Sequence, residues 1–170
     1  MTFNPVAALN VIECRNIISN NNPKAVDLGS QTSSINDIFV KNLVDNNKTI
    51  NSIQKKNLIN LSNSQSFTTE DYFNSVGFKE YKSIDINGAY NSLQFDLNKN
   101  ILKTYSYNEK YDLVINNGTG EHVFNQYALF LNFHNLTKLN GIMLNILPFI
   151  DWINHGFYNF NPIFFADLAA

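Results

Sequence analysis

Ala25-Val26-Asp27-Leu28-Gly29 is the stretch that decides the fold. Apolar residues surround one carboxylate, and the run ends at glycine. So short an apolar run, bounded by turn residues, reads as a buried strand. On its N-terminal side Val6, Leu9, Ile12, Cys14, Ile17 and Ile18 are spaced as one face of a helix over residues 6–19, which Asn20-Asn21-Asn22-Pro23 stops. On its C-terminal side a second helix is predicted to start at Ser33 or Ser34, with Ile35, Ile38, Phe39, Leu43 and Val44 on one face.

Further out, residues 45–66 are rich in Asn, Ser, Lys and Gln and read as an insertion, weakly structured or wrapped on the surface. A short helix follows over 68–76, with Thr68 as its N-cap, Glu70 and Asp71 in the first turn, Gly77 past its end, and Phe67 and Phe73 stapling it to the core. Strands are predicted at 81–86, 93–97, 111–116 and 141–147. A helix-like crossover should precede the third. A helix over 121–135 should carry Phe124, Ala128, Phe130 and Leu131 inward, and Pro162 should open a last helix over 163–168. Strands alternating with helices argue for a single α/β domain, residues 1–170, built on a mostly parallel sheet as a Rossmann-like three-layer sandwich. Right-handed crossovers then put every strand C-terminus on one edge, where such folds bind ligands. Asp27, Asp85, Asp96 and Asn117 all fall at or just past those ends.

Composition narrows the function. Twelve Lys and Arg against fourteen Asp and Glu give a net charge of −2, and Lys55-Lys56 is the one adjacent basic pair. No basic stripe suited to a phosphate backbone exists, so nucleic acid is not an expected partner. Charged residues make up only 15% of the chain, and asparagine supplies much of the polar surface. Cys14 stands alone, which rules out an internal disulfide. The N-terminus lacks the pattern of a signal peptide. The apolar run 142–153 is broken by Asn145, Pro148 and Asp151, too soon to span a membrane. A cytoplasmic protein with no membrane partner is the expectation.

Gly29 is followed by Ser30 and Gln31 where a dinucleotide loop would place more glycines, so pyrophosphate cradling is poorly supported. A carboxylate at Asp27 could attract an ammonium group. Asp85 could accept from both hydroxyls of a ribose, with Ile86 beside it. Asp96 could take an adenine amino proton while Leu97 covers the ring. An amine, a ribose and an adenine without phosphate together describe S-adenosylmethionine.

These segments, with Tyr111-Asp112-Leu113-Val114-Ile115-Asn116-Asn117-Gly118 and Gly141-Ile142-Met143-Leu144, resemble the successive motifs of class I S-adenosylmethionine-dependent methyltransferases. Gly118-Thr119-Gly120-Glu121-His122-Val123-Phe124-Asn125-Gln126 and His155-Gly156-Phe157-Tyr158 are similar to one methyltransferase-domain subgroup. The resemblance, over residues 24–168, implies methyl transfer from S-adenosylmethionine to an unspecified acceptor. It implies that Asp27, Gly29 and Ser30 line the methionine part, that Asp85 and Ile86 hold the ribose, that Asp96 and Leu97 contact adenine, and that Asn117 and Gly118 face methionine and acceptor. The glycine-rich loop is reduced, and the spacing from Asp27 to Asp85 exceeds the roughly 20 residues of a compact dinucleotide unit. The family's sheet also closes with two further strands after the helix that Pro162 opens, so the resemblance implies a truncated fold. Its open edge and uncovered Phe164 and Phe165 would lead to poor solubility or a homodimer.

Among the histidines, His122 is the candidate general base, with His155 and Glu121 as candidate acceptor-binding groups. His122 and His134 are twelve positions apart, about 18 Å along a continuous helix, so they cannot share an ion, and no metal is expected. The aromatic residues Phe149, Trp152, Phe157, Tyr158 and Phe160 read as core or lid. The competing functions are a nicotinamide-dependent oxidoreductase, which the missing glycines disfavour, and a non-catalytic truncated methyltransferase-like domain.

Overall fold

The computed structural model describes residues 2–64, 66–150 and 152–169. Its centre is a four-stranded, all-parallel sheet in the order β4-β2-β5-β6, formed by Lys24–Leu28 (β2), Glu80–Ile84 (β4), Tyr111–Asn117 (β5) and Thr137–Ile146 (β6). A separate two-stranded parallel sheet joins Thr2–Phe3 (β1) to Thr32–Ser33 (β3). The α-helices are Pro5–Ile17 (α1), Asp37–Asn46 (α2), Ser52–Ser62 (α3), Thr69–Val76 (α4), Ile101–Tyr105 (α5), Gln126–Leu136 (α6) and Pro162–Leu168 (α7).

Strand alternation sorts the core into two layers. Ala25, Leu113 and Ile115 pack with residues of α1 to α4, including Ile12, Leu58, Tyr72 and Phe73. Val26, Leu28, Ile84 and Val114 pack on the opposite face with Ile101, Leu129, Phe130 and Phe133. Helices thus cover both faces of a parallel sheet, the α/β layout expected from the sequence and one compatible with a Rossmann-like arrangement.

Several elements differ from the sequence reading. Residues 45–66 are not loose: α3 buries Leu58 and Leu61, and Asn51 starts it with a capping box shared with Gln54. Leu93 makes only an isolated bridge to Ile84, and residues 93–97 form no strand. The helix expected from Glu121 begins instead at Gln126. Residues 120–122 form one tight 3-10 turn, and Phe124 is 72% exposed. Leu131 is only half-buried. Asn36 rather than Ser33 or Ser34 caps α2. Strand β6 starts four residues early and carries a bulge opposite Tyr111 and Leu113. Among the described strands β6 has one neighbour, β5. Phe165 is half-buried, 6.0 Å from Phe160, whereas Phe164 stays 36% exposed although its ring lies 5.0 Å from Phe130. Asp151, one interruption of the apolar run, lies outside the described residues. No described helix is long and apolar enough to cross a membrane.

The chain steps from β2 outward to β4, then crosses back to β5 on the other side of β2. Strand order therefore reverses between β2 and β5, at the C-terminal ends of these two strands. In open α/β sheets the crevice at that point is the ligand-binding position.

Candidate functional site

The loops after β2 and β5 touch. Gly29, which follows β2, has φ of +117°, and a Cβ placed there would come within 2.1 Å of Thr119 Oγ1. Glycine is required on both counts. Gly29 N donates to Ile84 O at 2.8 Å, which joins the same loop to the end of β4. Just past β4, Asp85 reaches across: its Oδ2 accepts from Ser30 N at 3.0 Å and from Ser30 Oγ at 2.9 Å. Its Oδ1 accepts from Asn87 N at 3.1 Å.

Above this junction lies a cavity of about 360 Å³, within the usual range of small-ligand sites. Gly29 and Ser30 form one wall, and Asp85 and Ile86 a second. Asp96 and Leu97 form a third, with Gly118, Thr119 and His122 opposite. Eight of the residues singled out in the sequence therefore meet at one cavity. Asp96 is held by an Asx turn: Oδ1 accepts from Asn98 N at 2.9 Å and from Asn98 Nδ2 at 3.0 Å. The bond from the Asn98 backbone also keeps the Asp96 carboxyl below its usual range. Its Oδ2 is left with Lys99 Nζ at 4.0 Å.

Asp27 and Asn117 do not line the cavity. Asp27 is 0% exposed and lies under the opposite face of the sheet, where neither carboxylate oxygen has a hydrogen-bond partner among the described residues. Burial pushes its carboxyl well above the usual range. The Tyr81 hydroxyl opposes this from nearby without the geometry of a formed hydrogen bond. Asn117 is a strap: its Nδ2 donates to Gln31 Oε1 at 2.7 Å, and Gln31 Nε2 donates back to Asn117 O at 2.6 Å.

Glu121 and His155 gather at the His122 wall. Glu121 Oε1 lies 3.6 Å from His155 Nε2 and 4.0 Å from His122 Nε2. The two imidazole rings are 4.9 Å apart, edge to face, and Trp152 packs 4.6 Å from His155. Burial raises the Glu121 carboxyl above its ordinary range, opposed by His155. Burial, reinforced by His155, shifts His122 downward and so favours its neutral imidazole. His134 is exposed on α6.

Other site residues escaped the sequence reading. Thr119 falls within the stretch 118–126, where the sequence assigns it no role, and it matters because Gly29 abuts it. Asn98 does carry a signal, the Asp-x-Asn spacing of a turn, and it also receives Asn125 N at 2.9 Å, tying the Asp96 loop to α6. Buried Asn132 accepts from Ile101 N at 2.9 Å and donates to Lys99 O at 2.8 Å, which fixes the same loop from below. A larger hollow of about 820 Å³ lies beyond β4, lined by Gln31, Thr69, Tyr81, Tyr90 and Leu93.

No family model, curated protein or solved structure matches the chain.

Proposed function

We propose that the cavity at the β2/β5 crevice binds S-adenosylmethionine and that the protein transfers its methyl group to an acceptor. The observation that carries this reading is the convergence of Gly29, Ser30, Asp85, Asp96 and Leu97 on one cavity at the point where strand order reverses. The donor set suits a nucleoside without phosphates. Ser30 N, the amide a pyrophosphate would need, already donates to Asp85, and the cavity's two carboxylates would repel an anion. That counts against a nicotinamide dinucleotide.

A carboxylate offers about four lone-pair positions, and three on Asp85 are taken. One ribose hydroxyl can therefore donate at once, and a second when the Ser30 hydroxyl rotates away. Asp96 Oδ2 is placed for an amino proton, and buried Leu97 offers an apolar wall to a base. Gly29 leaves room for backbone to approach the ligand. When bound, the cofactor's sulfonium supplies an electrophilic methyl carbon. The chain's own task is then to align the acceptor in line with the methyl–sulfur bond and to exclude water. Neutral His122, in the cavity wall, can accept the acceptor's proton.

Calorimetric titration with S-adenosylhomocysteine tests the reading, with NAD and the variant Asp85→Asn as controls. Micromolar binding, weakened tenfold or more by the substitution, is the expected outcome. Binding of NAD alone, or equal binding by a folded Asp85→Asn chain, would overturn it.

A further inference from the structure

Glu121, His122 and His155 form a constellation that methyl transfer alone does not require. The carboxylate oxygen and the two imidazole nitrogens all lie within 4.8 Å of one another. Neither contact of the carboxylate with an imidazole is a hydrogen bond: 3.6 and 4.0 Å are too long. Three ligand-type atoms thus face one another across a gap.

The carboxylate at its base is unsatisfied. Glu121 is 1% exposed, and its Oε2 has no hydrogen-bond partner among the described residues. A buried carboxylate aimed at two imidazoles with an oxygen to spare is costly unless something binds it. The cluster is also built by the backbone. Phe157 N donates to Glu121 O at 2.7 Å and Tyr158 N to the same oxygen at 3.3 Å, which pins the segment carrying His155 onto Glu121. Gly156 permits this approach, since a Cβ there would fall 2.8 Å from both Glu121 Cγ and Glu121 O. His122 and Glu121 are fixed by the 3-10 turn of residues 120–122, whose entry Asn116 holds by accepting from Gly120 N at 2.8 Å.

We propose that Glu121, His122 and His155 bind a divalent transition-metal ion of the zinc class. Two imidazoles and one carboxylate are a recognised donor set for zinc and for non-haem iron, with one or more positions left open. Around a tetrahedral ion, donors about 2.0–2.2 Å from the metal stand roughly 3.4 Å apart, so the observed separations need only a small closure, which the partly exposed histidine side chains can make. His122 also lines the cavity at the β2/β5 crevice, so the ion would lie beside it. An acceptor hydroxyl bound there would lose its proton more readily, and that would take the place of direct proton transfer to His122, whose nitrogen the ion would hold; this last use rests on the methyl-transfer reading, while ion binding does not.

The test uses the full chain freed of metal by chelation, then titrated with Zn(II) by calorimetry and with Co(II) by visible absorption. Glu121→Gln, His155→Ala and the exposed control His134→Ala are compared, with circular dichroism to show that each is folded. One ion per chain is expected, with a Co(II) ligand-field band. Glu121→Gln and His155→Ala should each lose at least tenfold in affinity, and His134→Ala none. A folded chain that binds neither ion, or binding that persists unweakened in folded Glu121→Gln or His155→Ala, overturns the proposal. A parallel titration with S-adenosylhomocysteine keeps the two readings apart: ion binding without it sinks methyl transfer and leaves the metal site standing.

Discussion

Replacing Asp27 with Asn should change how stability depends on pH more than it changes the fold. Asp27 lies on β2, flanked by β4 and β5, with no solvent exposure and no hydrogen bond to either oxygen among the described residues. Its carboxyl therefore keeps its proton in the folded chain well above the usual range. In the unfolded chain it ionises near pH 3.9. Below that pH both states are protonated, and Asp27 adds no pH dependence. Above it, the unfolded chain gives up the proton and the folded chain does not. Stability then falls by about 1.4 kcal/mol per pH unit until the folded carboxyl also ionises. Asn is isosteric and cannot titrate, and its own unpaired amide carries a cost that does not vary with pH. Urea unfolding of both chains at a series of pH values rising from the unfolded-state pKa isolates the effect. Glu121, which shifts in the same direction, and His122, which shifts downward and favours the fold at higher pH, are present in both chains and cancel. The wild-type stability should drop relative to Asp27→Asn by about 1.4 kcal/mol for each pH unit inside the window. Parallel profiles would refute the reasoning, because they would mean that Asp27 is ionised and paired in the folded protein.

Two further substitutions probe the site's supports. Gly29→Ala forces a side chain into a positive-φ position and against Thr119, and should cost about 1–3 kcal/mol in urea unfolding. It should also weaken S-adenosylhomocysteine at least tenfold, and adding Thr119→Ala should recover only the part due to the clash. Asn132→Ala leaves Ile101 N and Lys99 O without their buried partner and should cost about 1–3 kcal/mol. Because Asn132 underpins the Asp96 loop without lining the cavity, binding should weaken less than stability suggests; an unchanged unfolding midpoint would show that these bonds are absent in solution.

What the sequence made legible follows the physics of each signal. Residues 24–28 and 111–117 are apolar runs flanked by turn residues, and both became central strands. Thr68 and Gly77 bracket α4 because capping is local chemistry, readable without knowing the partner. Part of the asparagine excess has a local role that composition hid. Asn caps six of the seven α-helices among the described residues, at 4, 36, 51, 100, 125 and 161. An Asn-rich stretch at 45–66 therefore reads as loose when its Asn51 is starting a helix. Leu93–Leu97 fails as a strand for another reason: its alternation matches, but only Leu93 pairs with Ile84. The pairing of His122 with His155 was out of reach, since it depends on backbone bonds from residues 157 and 158 to Glu121.

Asp27 and Asp85 show why one carboxylate near a strand end lines the cavity and another does not. Within β2, side chains alternate between the two faces: Ala25 and Asp27 point toward the α1–α4 layer, and Val26 and Leu28 toward the α6 layer. The cavity opens on the α6 side, as the presence of Ile84 and Val123 in its lining shows. Parity thus turns Asp27 away, even though it lies only two residues before Gly29. Asp85 is one residue past the end of β4, where the chain is free of the pleat and can turn its carboxylate across the loop to Ser30. Asp96 lies in no strand at all. The carboxylates that can meet a ligand are the two released from the sheet, and the one still within a strand is buried where its charged form is disfavoured. A sequence reading that places residues only by distance from a strand end will merge these two kinds of position. Counting the pleat from the last buried apolar residue separates them.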